Sequence, residues 1–261
     1  MLSAHIAPTR ASEVAGRLAP MTDTAATTTD AAAANGASPE KTEHKPPTRL
    51  VLVRHGVTAH TGPLLSGRMP GIALSDKGVE QARAAAARLA VLPVAVVYAS
   101  PIERTAQTAS YIAAPLGLEV QPLPGVIEAD YGEWTGGKIA DLVKTDEWKV
   151  VQAAPSRAQF PGGETLRAMQ SRMVDALDAV VAAHPHETVV VVSHADPIKS
   201  AIAHYTGMHL DLFQRLHVSP ASVTVLDFHP FGALLVKCND TGGLADLLPE
   251  PENQPESKEA S

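Results

Sequence analysis

Residues 50–61 of the chain read LVLVRHGVTAHT, an apolar run that turns polar at Arg54 and His55. A run of this length ending at Gly56 is typical of a buried strand in a parallel sheet. Ligands of open α/β sheets bind outside the carboxyl ends of the strands, so Arg54 and His55 are predicted at such an end. There they would offer a phosphate clamp and a nucleophile or base. From these residues alone, a solvated polar loop is an equally good interpretation.

Apolar runs and helical periodicities alternate along the rest of the chain. Strands are predicted over 94–99, 118–123 and 188–192, and a closing hairpin joins 223–228 to 233–236. Helices are predicted to begin at Asp76, Ser100, Glu164 and Pro197, with Ser100 as the N-cap of a capping box. This alternation predicts a single three-layer α/β domain, in which helices flank a mostly parallel central sheet.

Composition sets the limits of the folded part. Residues 1–47 are rich in Ala, Thr and Pro, lack aromatic residues and show no sustained apolar period. Residues 245–261 are rich in Glu and Pro. We expect both segments to be disordered tails and residues 48–244 to form one domain.

Charge and cysteine content exclude several classes of protein. The net charge of -7 argues against a general nucleic-acid binder. No apolar run approaches the roughly 20 residues of a membrane span, and no secretory signal is recognisable. The single cysteine, Cys238, excludes an internal disulfide and favours a reducing, cytoplasmic location. Neither HExxH nor CxxC metal spacing occurs.

Two histidines, His55 and His194, follow two predicted buried strands. Arg54 ends one of these strands, and Arg104 lies in the first turn after another. If the strand ends adjoin, two imidazoles and two guanidinium groups would surround one point. That set suits a phosphoryl group, with the cations on its oxygens and a neutral imidazole in line with phosphorus. A nearby carboxyl group could then protonate the leaving oxygen.

Five motifs together carry a family resemblance. In chain order they are RHGVT (54–58), SPIERTAQTA (100–109), EADYGEWTG (128–136), PGGET (161–165) and VVSHAD (191–196). In this order they are similar to the histidine phosphatase superfamily, also called the phosphoglycerate mutase-like family. The resemblance covers roughly residues 48–240.

The resemblance implies roles for individual residues. His55 is the phosphorylated nucleophile, and Glu128 matches the proton donor. Phosphoryl oxygens are bound by Arg54, Arg104 and His194. Substrate binding is further assigned to Thr61, Arg68 and Ala195. Many members carry Asn where Thr61 stands, and the shorter reach of a hydroxyl bears on substrate choice. No metal or cofactor is implied.

Three functions stay open at this point. The interval of 66 residues between Glu128 and His194 is short for a cofactor-dependent mutase of the family, which favours a metal-independent phosphatase acting through phosphohistidine. A phosphoglycerate mutase-type phosphomutase is the first alternative, and a non-catalytic phosphate-binding module is the second. The expected partner is a small-molecule phosphate ester, without nucleic acid or membrane, and a homodimer is left open. Substrate choice is expected to depend on residues 61–74 and 132–163.

Overall fold

The structure is a computed structural model, and it describes residues 45–243. Both predicted tails therefore lie outside the described residues, apart from 45–47, which lead into the first strand without regular structure. Within the described residues, no helix has both the length and the apolarity needed to cross a membrane.

The domain contains six strands and six α-helices among the described residues, joined in part by short 3₁₀ turns. The strands are β1 (Thr48–Arg54), β2 (Val94–Ala99), β3 (Val120–Pro122), β4 (Thr188–Ser193), β5 (Val223–His229) and β6 (Gly232–Asp240). The helices are α1 (Asp76–Leu89), α2 (Glu103–Ala113), α3 (Ile139–Leu142), α4 (Asp146–Ala153), α5 (Leu166–Ala183) and α6 (Ala195–Tyr205).

The strands form one sheet in the order β3-β2-β4-β1-β5-β6. The first four strands run parallel to one another, and β5 and β6 form an antiparallel hairpin at one edge. Side chains of β1 alternate between the two faces: Leu50 and Leu52 pack against α5 and α6, and Val51 and Val53 pack against α1 and α2. The predicted three-layer α/β domain is therefore confirmed.

The start of α2 differs from the prediction. The N-cap is Ile102, which has no capping side chain, and the helix begins at Glu103. Ser100 is not the N-cap because its backbone N–H still continues the sheet, donating to the Val192 carbonyl at 3.0 Å. Its hydroxyl lies 2.8 Å from His194 Nε2 instead. Ser100, which the sequence pattern predicts as a capping residue, thus contacts the histidine that follows β4 instead.

Two other helices each begin two residues away from the predicted position. Helix α5 begins at Leu166 because the Thr165 hydroxyl caps it, accepting from the Ala168 N–H at 3.0 Å. Helix α6 begins at Ala195, two residues before the predicted Pro197, since a proline in the first turn interrupts no helical hydrogen bond. The third strand is shorter than predicted and the closing hairpin is longer.

Residues 132–163, predicted as an insertion, build a small core of their own. Trp134, Trp148 and Phe160 pack there against Met169 and Phe213 from the main domain. The segment contains α3 and α4 and joins the 58–67 loop through a bridge between Leu64 and Lys138. It is therefore anchored to the domain through apolar contacts and backbone pairing.

Two glycines allow α1 to approach the turn that follows β1. A Cβ on Gly78 would lie 2.0 Å from the Val57 carbonyl oxygen, and a Cβ on Gly56 would lie 2.5 Å from the Gly78 carbonyl oxygen. Gly78→Ala would add helix propensity worth about 1 kcal/mol. We nevertheless expect it to destabilise the protein by about 1–3 kcal/mol, because backbone must move to admit the methyl group.

Urea unfolding measures this effect. Ala87→Gly, on the exposed face of the same helix, isolates the propensity term and should cost only about 0.5–1 kcal/mol. A stabilised Gly78→Ala variant would show that the close approach is easily relieved.

Candidate active site

The site lies where the carboxyl ends of β1, β4 and β2 meet. Arg54 pairs with Ser193, and Ala99 pairs with Val192, so the residues that follow these strands emerge side by side. His55 donates its backbone N–H to the Ser193 carbonyl at 3.0 Å. The ring centroids of His55 and His194 are 5.3 Å apart. The structure thus brings together the two histidines that lie 139 positions apart in the sequence.

The His55 ring is buried, and a hydrogen bond at each of its two nitrogens fixes its orientation. Its Nδ1 lies 2.7 Å from the Gly56 carbonyl oxygen, which can only accept, so Nδ1 carries the proton. Nε2 then keeps its lone pair and accepts from Arg104 Nε at 3.2 Å. Burial, together with the charges of Arg104 and Arg54, lowers the pKa of His55 well below its usual range. The ring is therefore neutral at physiological pH, with a lone pair on Nε2.

Arg104 contacts this nitrogen and Arg54 lines the same cavity, and each guanidinium group keeps one buried nitrogen without a partner. Arg54 donates from Nη1 to the Val218 carbonyl at 2.7 Å, and Arg104 donates from Nη2 to the Gly67 carbonyl at 2.8 Å. Arg54 Nε and Arg104 Nη1 are buried without a hydrogen-bond partner. Unpaired buried donors are costly, so these two nitrogens are suited to donate hydrogen bonds to an anion bound beside them.

His194 is fully buried between Ser100 and Arg104. Its Nδ1 faces Arg104 Nη2 at 3.2 Å, and since a guanidinium only donates, the proton lies on Nε2 and points to the Ser100 hydroxyl. Burial, then His55 and the arginines, lower the pKa of His194 well below its usual range. Glu128 Oε2 lies 3.8 Å from Nδ1. Because the ring is neutral, this contact is not an ion pair.

Glu128 is a buried carboxyl group at the same cavity. Its Oε1 accepts from the Ala129 N–H at 2.9 Å. Burial and the negative charge of Asp196 outweigh the opposite effect of Arg104 and raise the pKa of Glu128 to about 7. About half of the Glu128 carboxyl groups are then protonated near neutral pH, so the cavity contains a proton donor.

The backbone that carries Glu128 is braced by two arginines. Arg68 Nε and Arg172 Nη2 both donate to the Glu128 carbonyl, at 2.9 and 3.0 Å. Arg68 Nη2 also donates to Glu164 at 3.0 Å, and Arg172 makes a salt bridge to the same carboxylate at 2.6 Å. Arg68, predicted to bind substrate, is thus engaged in this network and does not line the cavity.

The cavity has a volume of about 200 Å³. Thr61 and Ala195 line it, as predicted for substrate contact, and Thr61 Oγ1 accepts from the Thr58 N–H at 3.0 Å. Five further lining residues come from the 62–67 loop, whereas Ile139 is the lining residue contributed by the described 132–163 segment. The remaining lining residues are Arg54, His55, Thr58, Arg104, Glu128, Tyr131 and Asp196.

Among residues 45–243, no group of three or more His, Cys, Asp or Glu side chains is arranged to hold a metal ion.

Comparison with known proteins identifies the family. Residues 50–241 match the model of the histidine phosphatase superfamily (branch 1). The chain belongs to this superfamily. The match covers the whole described sheet except the first two residues of β1, so the fold and the site fall within it.

Individual relatives narrow the activity. Phosphoserine phosphatase 1 of Hydrogenobacter thermophilus is 31% identical over 77% of this chain and 97% of its own length. Bifunctional protein Rv2228c of Mycobacterium tuberculosis is 34% identical over 76% of this chain, which spans only 55% of that protein. The alpha-ribazole phosphatase of Shigella flexneri superimposes with a TM-score of 0.67 at 25% identity, covering 74% of this chain and 97% of its own. Relatives named as phosphoglycerate mutases are less similar, at 27% and 28% identity.

These relatives confirm the predicted enzyme class: this histidine phosphatase is a phosphoric monoester hydrolase.

The sequence interpretation missed two residues of the histidine phosphatase cavity. The Tyr131 hydroxyl donates to Asp196 Oδ2 at 3.0 Å, and Lys199 forms a salt bridge with Asp196 Oδ1 at 2.8 Å. Burial opposes ionisation of Asp196, but Lys199 and Tyr131 outweigh it and lower the pKa of Asp196. The two missed residues, Tyr131 and Asp196, both lie inside motifs that carry the resemblance. The sequence did contain a signal for Asp196: it lies three positions before Lys199 on a mostly apolar helix, a spacing that favours an ion pair.

Proposed function

We propose that the enzyme hydrolyses a small-molecule phosphate monoester without a metal, through a phosphohistidine at His55. The observation that carries this proposal is the neutral His55 ring, whose Nε2 accepts from Arg104 Nε in a cavity that Arg54 also lines, with one buried unpartnered nitrogen on each arginine. A phosphoryl group placed there would accept from both arginines, and transfer of the Arg104 Nε–H from His55 to a phosphoryl oxygen frees the Nε2 lone pair for phosphorus.

The reaction then has two steps. His55 Nε2 attacks phosphorus, the P–O bond to the alcohol breaks, and the Glu128 carboxyl gives its proton to the leaving oxygen. A water molecule next attacks the phosphohistidine, and the Glu128 carboxylate takes up its proton. The P–N bond breaks, which releases phosphate and restores the His55 lone pair and the Glu128 proton. Arg54 and Arg104 remain on the phosphoryl oxygens throughout, and His194, whose Nδ1 accepts from Arg104 Nη2, holds that guanidinium in position.

Further features of the proposal follow from the sequence. The substrate is a small phosphate ester and not a nucleic acid, which the net charge of -7 supports. Thr61 and Ala195 contact the substrate, and Arg68 acts through the backbone of Glu128. The single cysteine supports a cytoplasmic location. A homodimer remains part of the proposal.

Trapping experiments test this mechanism. A rapid quench that avoids acid should leave phosphate on the peptide that contains His55, labile to acid and stable to base. EDTA should leave turnover unchanged, whereas inhibition that added metal reverses would contradict the mechanism.

Product analysis separates the alternative functions. A phosphatase releases one phosphate per alcohol, a phosphomutase forms a second phosphate ester, and a binding module shows no turnover.

The raised pKa of Glu128 predicts a pH dependence that differs between substrates. The donor must be protonated, so kcat/KM on an alkyl phosphate should fall as pH rises above about 7. On p-nitrophenyl phosphate, whose phenolate leaves without a proton, the fall should be small. We therefore expect the ratio of the two kcat/KM values to decline about tenfold per pH unit above 7.

Using the ratio cancels every titration that both substrates share, including that of His55. A ratio that stays constant between pH 6 and 9 would mean that Glu128 is not the donor.

A further inference from the structure

Positive charge around the cavity is confined to one place. Arg54 and Arg104 are the cations among its lining residues in the described chain, and both lie beside His55. Each keeps one buried nitrogen without a hydrogen-bond partner, and the proposed function uses both for phosphoryl oxygens. A second anionic group on a substrate would therefore need a different partner.

The rest of the lining offers no such partner. Its ionisable side chains are the Glu128 and Asp196 carboxyl groups and the Tyr131 phenol, and its other side chains are short hydroxyls or apolar groups such as Leu64, Leu65 and Ile139. Asp196 is held ionised by Lys199, and like charges at close range repel. A substrate carboxylate would thus meet apolar side chains, uncharged hydroxyl groups or an existing carboxylate, but no further cation among the lining side chains.

Arg68 and Lys199, two cations near the cavity that do not line it, are both engaged by other groups. Arg68 donates through all three of its nitrogens, to the Glu128 carbonyl, Asp130 and Glu164. Lys199 lies 2.8 Å from Asp196 Oδ1 and 2.7 Å from Gln214 Oε1, with its ammonium over the Phe213 ring. Turning Lys199 to the substrate would leave the Asp196 carboxylate without its cation, which is costly, and turning Arg68 would remove one of the two arginines that hold Glu164.

We propose that the enzyme selects phosphate monoesters whose alcohol portion carries no second anionic group. Glycerol phosphate and phosphoethanolamine are of this class, whereas phosphoglycerate and phosphoserine are not. This selectivity rests on the proposed function, because it takes Arg54 and Arg104 as the phosphoryl site. A carboxylate that enters the cavity loses its hydration and gains no compensating charge.

Two matched substrate pairs test the selectivity. Glycerol 3-phosphate differs from 3-phosphoglycerate, and phosphoethanolamine differs from phosphoserine, by one carboxylate at similar size. We expect kcat/KM to be higher by tenfold or more for the member of each pair that lacks the carboxylate, since a hydrogen bond to a charged group is worth roughly that factor. Equal values, or a preference for the carboxylated members, would overturn the proposal.

An added cation tests the cause. Ile139 lies at the start of α3, half-buried at the cavity and outside the three hydrophobic clusters. Ile139→Lys should raise the ratio of 3-phosphoglycerate to glycerol 3-phosphate turnover several-fold. Ala140→Lys adds the same charge at the next, exposed position, which does not line the cavity, and should leave the ratio unchanged. An unchanged ratio in Ile139→Lys, in protein whose circular dichroism and Tm match the wild type, would contradict the electrostatic cause.

Hydrolysis of p-nitrophenyl phosphate separates the two proposals, because this substrate has no second anionic group. If the wild type hydrolyses neither p-nitrophenyl phosphate nor any of the four esters in the matched pairs, the proposed function is wrong, and so is the selectivity that rests on it. If it hydrolyses p-nitrophenyl phosphate but does not discriminate within the pairs, the function stands and the selectivity is wrong.

Discussion

Replacing His55 by alanine is expected to abolish turnover, with a loss on the order of 10⁴-fold or more on every phosphate ester. The physical reason is that Nε2 carries the imidazole lone pair in the cavity that Arg54 and Arg104 line, and the described cavity lining contains no Cys or Lys to replace it. His194 cannot take over, because its Nδ1 accepts from Arg104 and its Nε2 proton is directed at Ser100. The acid-labile phosphopeptide should disappear together with the activity.

The variant should still bind phosphate. Removing the ring frees Arg104 Nε as an additional donor and leaves Arg54 in place, so inorganic phosphate should continue to raise the Tm. His204→Ala, at an exposed position on α6, controls for histidine loss elsewhere and should keep full activity. If His55→Ala retains more than a few per cent of wild-type kcat, or still forms the phosphopeptide, another group is the nucleophile.

Glu128→Gln is expected to have the second largest effect, and the effect should depend on the substrate. The amide keeps the size and the hydrogen bond to the Ala129 N–H but supplies no proton. An alkyl phosphate expels a basic alkoxide, so kcat/KM on glycerol phosphate should fall about 10²–10⁴-fold, the usual contribution of general acid catalysis. p-Nitrophenyl phosphate expels a stable phenolate and should lose much less.

Two other outcomes would assign a different role to Glu128. Small and equal losses on both substrates would make it a structural carboxyl group. A large but equal loss would mean that it positions the cavity while the proton comes from elsewhere. Glu133→Gln, an exposed glutamate five residues along the same segment, is the matched control and should change neither rate.

The centre of the sheet was predictable because strands β1 and β4 are buried on both faces. The central strand β4 is valine from 189 to 192, and such a run of β-branched apolar residues predicts a buried strand. The start of α2 was not predictable by the same reasoning, because Ser100 satisfies a local capping rule while its backbone belongs to the sheet. Local preference and tertiary pairing compete for this residue, and pairing determines the outcome.

The site shows the same division. His55, His194 and Arg104 could be inferred because each stands at a strand or helix end that the parallel sheet brings together. The position of Arg68 could not, because it depends on two residues 96 and 104 positions away in the sequence: Glu164, which accepts from Arg68, and Arg172, which donates to the same Glu164 carboxylate and Glu128 carbonyl. The contact between Tyr131 and Asp196 likewise depends on how two separate segments are packed.

The pairing of β1 with β4 at the centre of the sheet links the cavity to folding as a whole. The two strands are separated by more than a hundred residues, so their alignment closes a long loop and belongs to the globally cooperative transition. The phosphate-binding groups acquire their arrangement only when that transition is complete. Phosphate, the product, therefore acts as a folding ligand: at a hundred times its Kd, it would add about 2.7 kcal/mol to the stability of the entire domain.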